Sequence, residues 1–236
     1  MRHHTPTQVG PDLEPIHVVL PMRTVSGGKA RLGEALDAEE REELVLGLLL
    51  HTLAVLAAWP RCGRIHLVSP DPVLAAATRQ AGADVIVHRQ SGEGLNEGIR
   101  LGIAAAMRQG AVSLLVLPGD LPHLSVEVLD ELILAADAGL AAAGGGPLVA
   151  IAPSDARSGT NALVLRPPDV IAPRFGSDSF EAHLRAAEAA GAAVQVVSHP
   201  ILGFDLDTPE DLERLDPPRL RELMAAGRRA AEGVGV

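Results

Sequence analysis

The sequence predicts a doubly wound α/β fold built on one mostly parallel sheet. Three observations carry this reading. Short apolar runs alternate with stretches of helical period, prolines and glycines punctuate the junctions, and 236 residues that are 47% hydrophobic suffice for one sizeable core. In order, Ile16–Leu20 reads as a first strand stopped by Pro21, and Thr24–Arg31 as a Gly/Lys loop. Asp37 stands as N-cap to a helix that ends at Trp59, before Pro60. Arg64–Ser69 follows as a strand, Pro72–Ala81 as a helix, Ala83–His88 as a strand and Leu95–Gln109 as a helix. Val112–Leu117 reads as a buried central strand, and Ser125 caps a helix through Asp137. Beyond a flexible Ala141–Pro147 stretch, strands are expected at Leu148–Ala152 and Asn161–Arg166. A loop to Gly176, a helix at Asp178–Ala190 and strands at Ala193–Val197 and Gly203–Leu206 come next. Thr208-Pro209-Glu210-Asp211 opens a further helix with a cap, a first-position proline and an acid, and Pro217–Ala231 forms the last. No repeat or long linker divides the chain, so residues 16–236 read as a single domain behind a flexible tail, residues 1–15.

Composition narrows the function. Thirty acidic against 20 basic side chains leave a formal charge of −10, which argues against nucleic-acid and anionic-membrane partners. Aromatic residues are only 2%, too few for a surface of stacked rings. Cys62 is the one cysteine, which excludes internal disulfides and thiolate zinc sites and suits a reducing compartment. No apolar run approaches the roughly 20 residues of a membrane span. The first 15 residues lack an apolar core and are expected to be a loose tail rather than a signal peptide, so the chain reads as cytoplasmic.

Asp120, in Leu117-Pro118-Gly119-Asp120-Leu121-Pro122, stands just past the end of the predicted central strand. Ligands bind at that edge of open parallel sheets, although a turn aspartate can also serve only its own backbone. In Phe204-Asp205-Leu206-Asp207 a strand would turn both carboxylates to one side. Two such charges are unfavourable together unless a cation lies between them, and hard divalent ions such as magnesium take oxygen ligands of this kind. With Asp120 they make a candidate metal site; Glu210 and Asp211 belong to the following helix start. The loop Thr24–Arg31, with Gly27, Gly28 and Lys29, is either a phosphate cradle or a solvated loop, and it is neither a Walker loop nor G-x-G-x-x-G. Gly92-Glu93-Gly94-Leu95-Asn96 either wraps a ribose or base or is an ordinary turn into a helix. Gly159-Thr160-Asn161 and Phe175–Phe180 can offer amides and hydroxyls to an anion, with Ser177 read as a helix cap and Ser179 as a freer hydroxyl. The three phenylalanines are expected to be packing anchors, and the histidines are scattered and structural or exposed, with His123 nearest the site.

Taken in order, these segments resemble the 2-phospho-L-lactate guanylyltransferase family of coenzyme F-420 biosynthesis, which is related to molybdenum-cofactor nucleotidyltransferases. The resemblance rests on Pro21 with Lys29-Ala30-Arg31-Leu32, Gly94-Leu95-Asn96, Leu117–Pro122, Gly159–Leu163, Phe175-Gly176 with Ser179-Phe180, and Asp205–Pro209, and covers about residues 16 to 213. It implies a Rossmann-like, nucleotidyltransferase-type sheet and transfer of GMP from GTP to a small phosphorylated acid, with release of pyrophosphate. The implied acid is phosphoenolpyruvate, 2-phospho-L-lactate or 3-phosphoglycerate, the first favoured. By the same resemblance Asp120, Asp205 and Asp207 would hold magnesium, with Asp120 and Lys29 carrying the catalytic role. Thr160, Asn161, Gly176 and Ser179 would meet the acid, and Arg23, Lys29, Arg31, Gly94 and Asn96 the nucleotide. Arg23 departs from the lysine the family often has there, which changes the donor geometry. A downstream transferase would take over the unstable product. Rival readings are a molybdopterin nucleotidyltransferase, whose glycine-rich first loop Ser26–Leu32 fits poorly, a sugar-transferring enzyme, and a non-catalytic GTP-binding module.

Overall fold

Seven strands, β1 (Ile16–Pro21), β2 (Cys62–Ser69), β3 (Val85–Arg89), β4 (Leu114–Val116), β5 (Leu148–Pro153), β6 (Thr160–Arg166) and β7 (Ala193–Val196), form one sheet in the order β3-β2-β1-β4-β6-β5-β7. The architecture comes from a computed structural model that describes residues 14–79, 83–91 and 94–234. All strand pairs are parallel except those of β6, which runs against β4 and β5. The expected mostly parallel α/β sheet is therefore present, with helices α1 (Ala38–Ala58), α2 (Pro72–Thr78), α3 (Leu95–Arg108), α4 (Val126–Ala142), α5 (Ser179–Ala189), α6 (Pro200–Gly203), α7 (Pro209–Arg214) and α8 (Pro217–Val234) around it. Residues 1–13 of the tail, and Gly92 and Glu93 of the second glycine turn, lie outside the described residues.

Alternation along the strands sorts the core into two faces. Ile16, Val18 and Leu20 of β1 pack with α1, α2 and α4 in one cluster, while Val19 joins Ile99 and Ile103 of α3 and Phe180 of α5 in the other. α8 lies against α1 backbone to backbone. A Cβ at Gly47 would run into the Leu223 carbonyl, and one at Gly227 into the Glu43 carbonyl. Glu43 is buried in that seam and accepts two hydrogen bonds from Arg228, at 2.6 and 2.9 Å.

Several local expectations change. Gly203–Leu206 is not a strand: His199 caps the short α6 at Pro200–Gly203, and the extended residues after it bury Phe204 and Leu206 instead of joining the ladder. The central strand is limited to Leu114–Val116, because Val112 is 54% exposed before the sheet begins. α4 continues to Ala142, since the Ala-rich run favours helix until Gly144 and Gly145 adopt positive φ. Asp37 does cap α1, through a reciprocal box with Glu40.

The histidines are not all scattered. His17 Nδ1 lies 3.1 Å from His66 Nε2, and His66 Nδ1 lies 3.0 Å from His88 Nε2, in a stacked row across three strands. Burial pushes His51, His66 and His183 down to about 4. Unfolded imidazoles take up protons near pH 6.5, so these groups contribute full stability above that value and lose it as pH falls toward 4. Melting temperature is accordingly expected to decline from pH 6.5 to 4.5; a flat profile would contradict this. Gly227→Ala, which forces two helix backbones apart, is expected to cost about 1–3 kcal/mol in urea unfolding.

Candidate active site

The strand order reverses at β1, whose chain neighbours lie on one side and β4 on the other. In such sheets the crevice beyond the carboxyl ends of the two strands is the place where loops part and ligands bind. Here that crevice is a cavity of about 880 Å³, within the usual range for a bound small molecule.

The loop after β1 is held by its own short hydrogen bonds. Gly27 N–H donates to Thr24 Oγ1 at 3.1 Å, Gly28 N–H to the Val25 carbonyl at 3.1 Å, and Val25 N–H to Asp71 Oδ2 at 2.8 Å. Gly28 sits so close to α1 that a Cβ would meet Val45 Cγ2 at 2.8 Å. Lys29 then takes a left-handed conformation, φ 53°, and the 3-10 turn Ala30–Glu34 follows. Its side chain is 10% exposed, and the ammonium donates to Asp120 Oδ2 at 2.8 Å and Asp207 Oδ1 at 2.6 Å.

Asp120, at the middle of the chain, and the later aspartates are brought together across more than 80 positions. Leu206 N–H donates to the Asp120 carbonyl at 3.2 Å. Phe204 and Leu206 are buried with Leu32, Leu44, Leu48, Leu215 and Leu223 in a third apolar cluster. The alternating Asp205 and Asp207 converge on Asp120, so that one oxygen of each carboxylate lies within 4.8 Å of the others. The same-side expectation holds without a strand, because the two buried side chains set the alternation. Asp211, boxed with Thr208, accepts the Asp207 N–H at 3.1 Å and fixes the end of the segment.

One ammonium faces three carboxylates. Burial pushes the Asp205 carboxyl up and nearby Asp120 adds to the shift, while the Asn161 amide, donating at 3.0 Å, opposes it. Burial works against the Lys29 charge, but Asp120 and Asp207 outweigh it and hold its pKa above that of an ordinary lysine. An all-oxygen set with surplus negative charge fits a hard divalent cation such as magnesium. Asp120, Asp205 and Asp207 are the residues that would hold it.

The other expected residues divide. Arg23 and Arg31 are exposed and line the cavity with Gly27 and Gly28, and Asn161 and Gly176 line it too. Gly94, φ 96°, caps α3, but only its neighbour Leu95 reaches the cavity. Asn96 does not turn its amide to the cavity: it donates to the Phe175 carbonyl at 2.8 Å and accepts the Phe175 N–H at 2.7 Å. Thr160 is buried, with its hydroxyl 3.0 Å from His183 Nδ1, and Ser179 is buried as the first residue of α5. Ser177 is not the helix cap, a position taken by Asp178 at φ 56°; Ser177 lines the cavity instead. Sequence reasoning missed Asp71, which precedes Pro72 as an ordinary helix cap and yet ties down the first loop. It also missed Arg214, which lies over the Phe204 ring at 4.4 Å and donates to Asp155 at 2.8 Å on the cavity wall.

Comparison with known proteins finds likenesses over most of the chain. A family model described as "Guanylyl transferase CofC like" matches residues 16–216. A phosphoenolpyruvate guanylyltransferase of Rubrobacter xylanophilus is 42% identical over 201 residues, 85% of this chain and 93% of that one. Another, of Sphaerobacter thermophilus, is 41% identical over 197 residues, 84% of this chain and 90% of that one. Among solved structures, a nucleotidyl transferase from Methanothermobacter superposes with TM-score 0.58 at 20% identity, covering 87% of this chain and 98% of that one, which is a likeness of fold. A single manganese ion, used as a probe for the carboxylate site, is expected to bind the unaltered chain in titration calorimetry. Asp120→Asn and Asp205→Asn should each weaken it at least about tenfold with little change in melting temperature; equal binding by both variants would place the cation elsewhere.

Proposed function

The chain belongs to the CofC-like guanylyl transferase family, and from that membership and the cavity we propose that it transfers GMP from GTP to phosphoenolpyruvate, releasing pyrophosphate. The observation that carries this reading is the convergence of Asp120, Asp205 and Asp207 on Lys29, at the carboxyl edge of the sheet, inside a cavity large enough for both reactants. The choice of acid follows the names of two relatives that are 42% and 41% identical to this chain over about 200 aligned residues.

In the proposed reaction an oxygen of the acid's phosphate attacks the α-phosphorus of GTP. A new P–O–P bond forms as the bond to the β-phosphate breaks, and the electron pair leaves on pyrophosphate. No covalent intermediate with the protein is required. A bound magnesium ion supplies charge neutralisation between two anionic reactants. The chain's own part is positioning and exclusion of water. Arg23 and Arg31 line the cavity and would supply the cations that a triphosphate needs. Asp120, Asp205 and Asp207 would hold the ion, and Lys29, desolvated beside Asp120 and Asp207, would bring its ammonium to the phosphates of the nucleotide. Asn161 steadies Asp205, and Gly176, at φ 128° with open space at its Cα, lets main-chain groups approach the acid.

The product is a mixed anhydride of two phosphates. Its energy suits consumption by a second group transfer, which agrees with a place in coenzyme F-420 assembly. No helix among the described residues is long and apolar enough to cross a membrane.

Pyrophosphate release from GTP and magnesium is to be measured with phosphoenolpyruvate, 2-phospho-L-lactate and 3-phosphoglycerate in parallel. Release with phosphoenolpyruvate alone is the expected result. Release only with another of the acids would change the substrate but keep the reaction. GTP binding without release by any acid would overturn the reaction in favour of a binding module.

A further inference from the structure

Among the described residues, the cationic side chains that line the cavity are Arg23, Lys29, Arg31 and Arg214. The first three lie between β1 and α1. Arg214, the last residue of α7, donates instead to Asp155 Oδ2 at 2.8 Å, and Asp155 stands just past β5. In the sheet β4 and β6 separate β1 from β5, so Arg214 is a cation set apart from the group after β1.

Its guanidinium is held at several points. The central carbon lies 4.4 Å from the centroid of the Phe204 ring, Nη2 donates to Asp155, and Nη1 stands 3.5 Å from Asp211 Oδ1. Phe204 immediately precedes Asp205, and Asp155 N–H donates to the Gly203 carbonyl at 2.9 Å. The group is therefore fastened beside the acidic segment. Stacking on a ring while pairing with carboxylates is what a planar fork does and an ammonium does poorly. The fork carries more N–H donors than these contacts use, and the side chain remains 54% exposed, so it can take a further anion.

We infer that Arg214 binds the carboxylate of the acid while the acid's phosphate sits at the aspartate cluster. This rests on the guanylyltransferase reading above and adds a specificity-determining residue to it. The acid carries two anionic groups. Its phosphate has to reach the α-phosphorus of GTP at the cluster, and in phosphoenolpyruvate the carboxylate hangs from the carbon that bears that phosphate. The carboxylate therefore needs a partner close to the cluster, while the cations after β1 are matched to the triphosphate. Arg214, one ring away from Asp205, offers a fork whose geometry suits a carboxylate. Asp155 is the stand-in that occupies this fork before the acid arrives. A phosphorylated molecule without a carboxylate would leave the pair undisturbed and gain nothing from it.

Arg214→Met keeps an unbranched stem over Phe204 and removes the charge. It is expected to raise KM for phosphoenolpyruvate about tenfold or more, with KM for GTP and kcat within about threefold. Arg214→Lys, which restores the charge without the fork, should recover only part of the loss. Asp155→Asn breaks the ion pair but keeps the guanidinium, and it should not raise that KM, because a carboxylate competing for the same donors is gone. An equal rise in Arg214→Met and Asp155→Asn would make the pair a structural tie and overturn the inference, as would an unchanged KM in Arg214→Met. A kcat loss beyond tenfold would put the guanidinium on the reacting phosphate, and a rise confined to KM for GTP would put it on the nucleotide. Either result would overturn the inference while leaving the guanylyltransferase reading intact. An unaltered chain that releases no pyrophosphate with any acid would overturn both.

Discussion

Three carboxylates held within reach of one another are the constraint on which the rest of this site depends. Like charges at that separation repel strongly when partly buried, and the chain relieves them with the single ammonium of Lys29 and the amide of Asn161. The relief is incomplete by design of charge count: one cation against three anions. That surplus is what makes the cluster a candidate place for a divalent ion.

The arrangement is sustained by apolar contacts rather than by the charges. Phe204 and Leu206 hold the acidic segment down in the cluster shared with α1, α7 and α8, and Arg219 of α8 donates to the Pro122 carbonyl just beyond Asp120 at 2.8 Å. The close seam between α1 and α8 therefore does more than finish the core. It supplies the floor under Asp205 and Asp207 and anchors the Asp120 loop from below. A helix far along the chain is in this way part of the support of a turn that follows β4.

The two sides of the cavity are also joined to each other. Asn96, at the start of α3, takes both main-chain groups of Phe175, and His183 holds the residue before it. The turn expected to meet the base or ribose and the turn expected to meet the acid thus share one rigid connection. Loops that carry function are otherwise the mobile parts of such folds. Here their polar groups are spent on one another, which ties the two turns together.

Much of this was legible along the chain because it depends on local order. Alternation of apolar runs with helical periods specifies a parallel sheet, the Asp37 and Thr208 caps announce their helices, and Pro118-Gly119 marks a stiff turn that carries Asp120. The six short segments sufficed to indicate the family, since each is a local backbone requirement. Which side chains face the cavity was not legible, because that depends on partners distant in sequence. Asn96 is turned away by Phe175, Thr160 by His183, and Lys29 is drawn inward by Asp207, 178 positions on. A hydrogen bond or ion pair across such a separation leaves no periodic trace in either segment. The sequence by itself thus determined the strands of the sheet, most of the turns and the types of residue available to the chemistry, though not the path of Gly203–Leu206. The tertiary structure alone decided which of them meet, because a buried polar group must be satisfied by whatever the fold brings beside it.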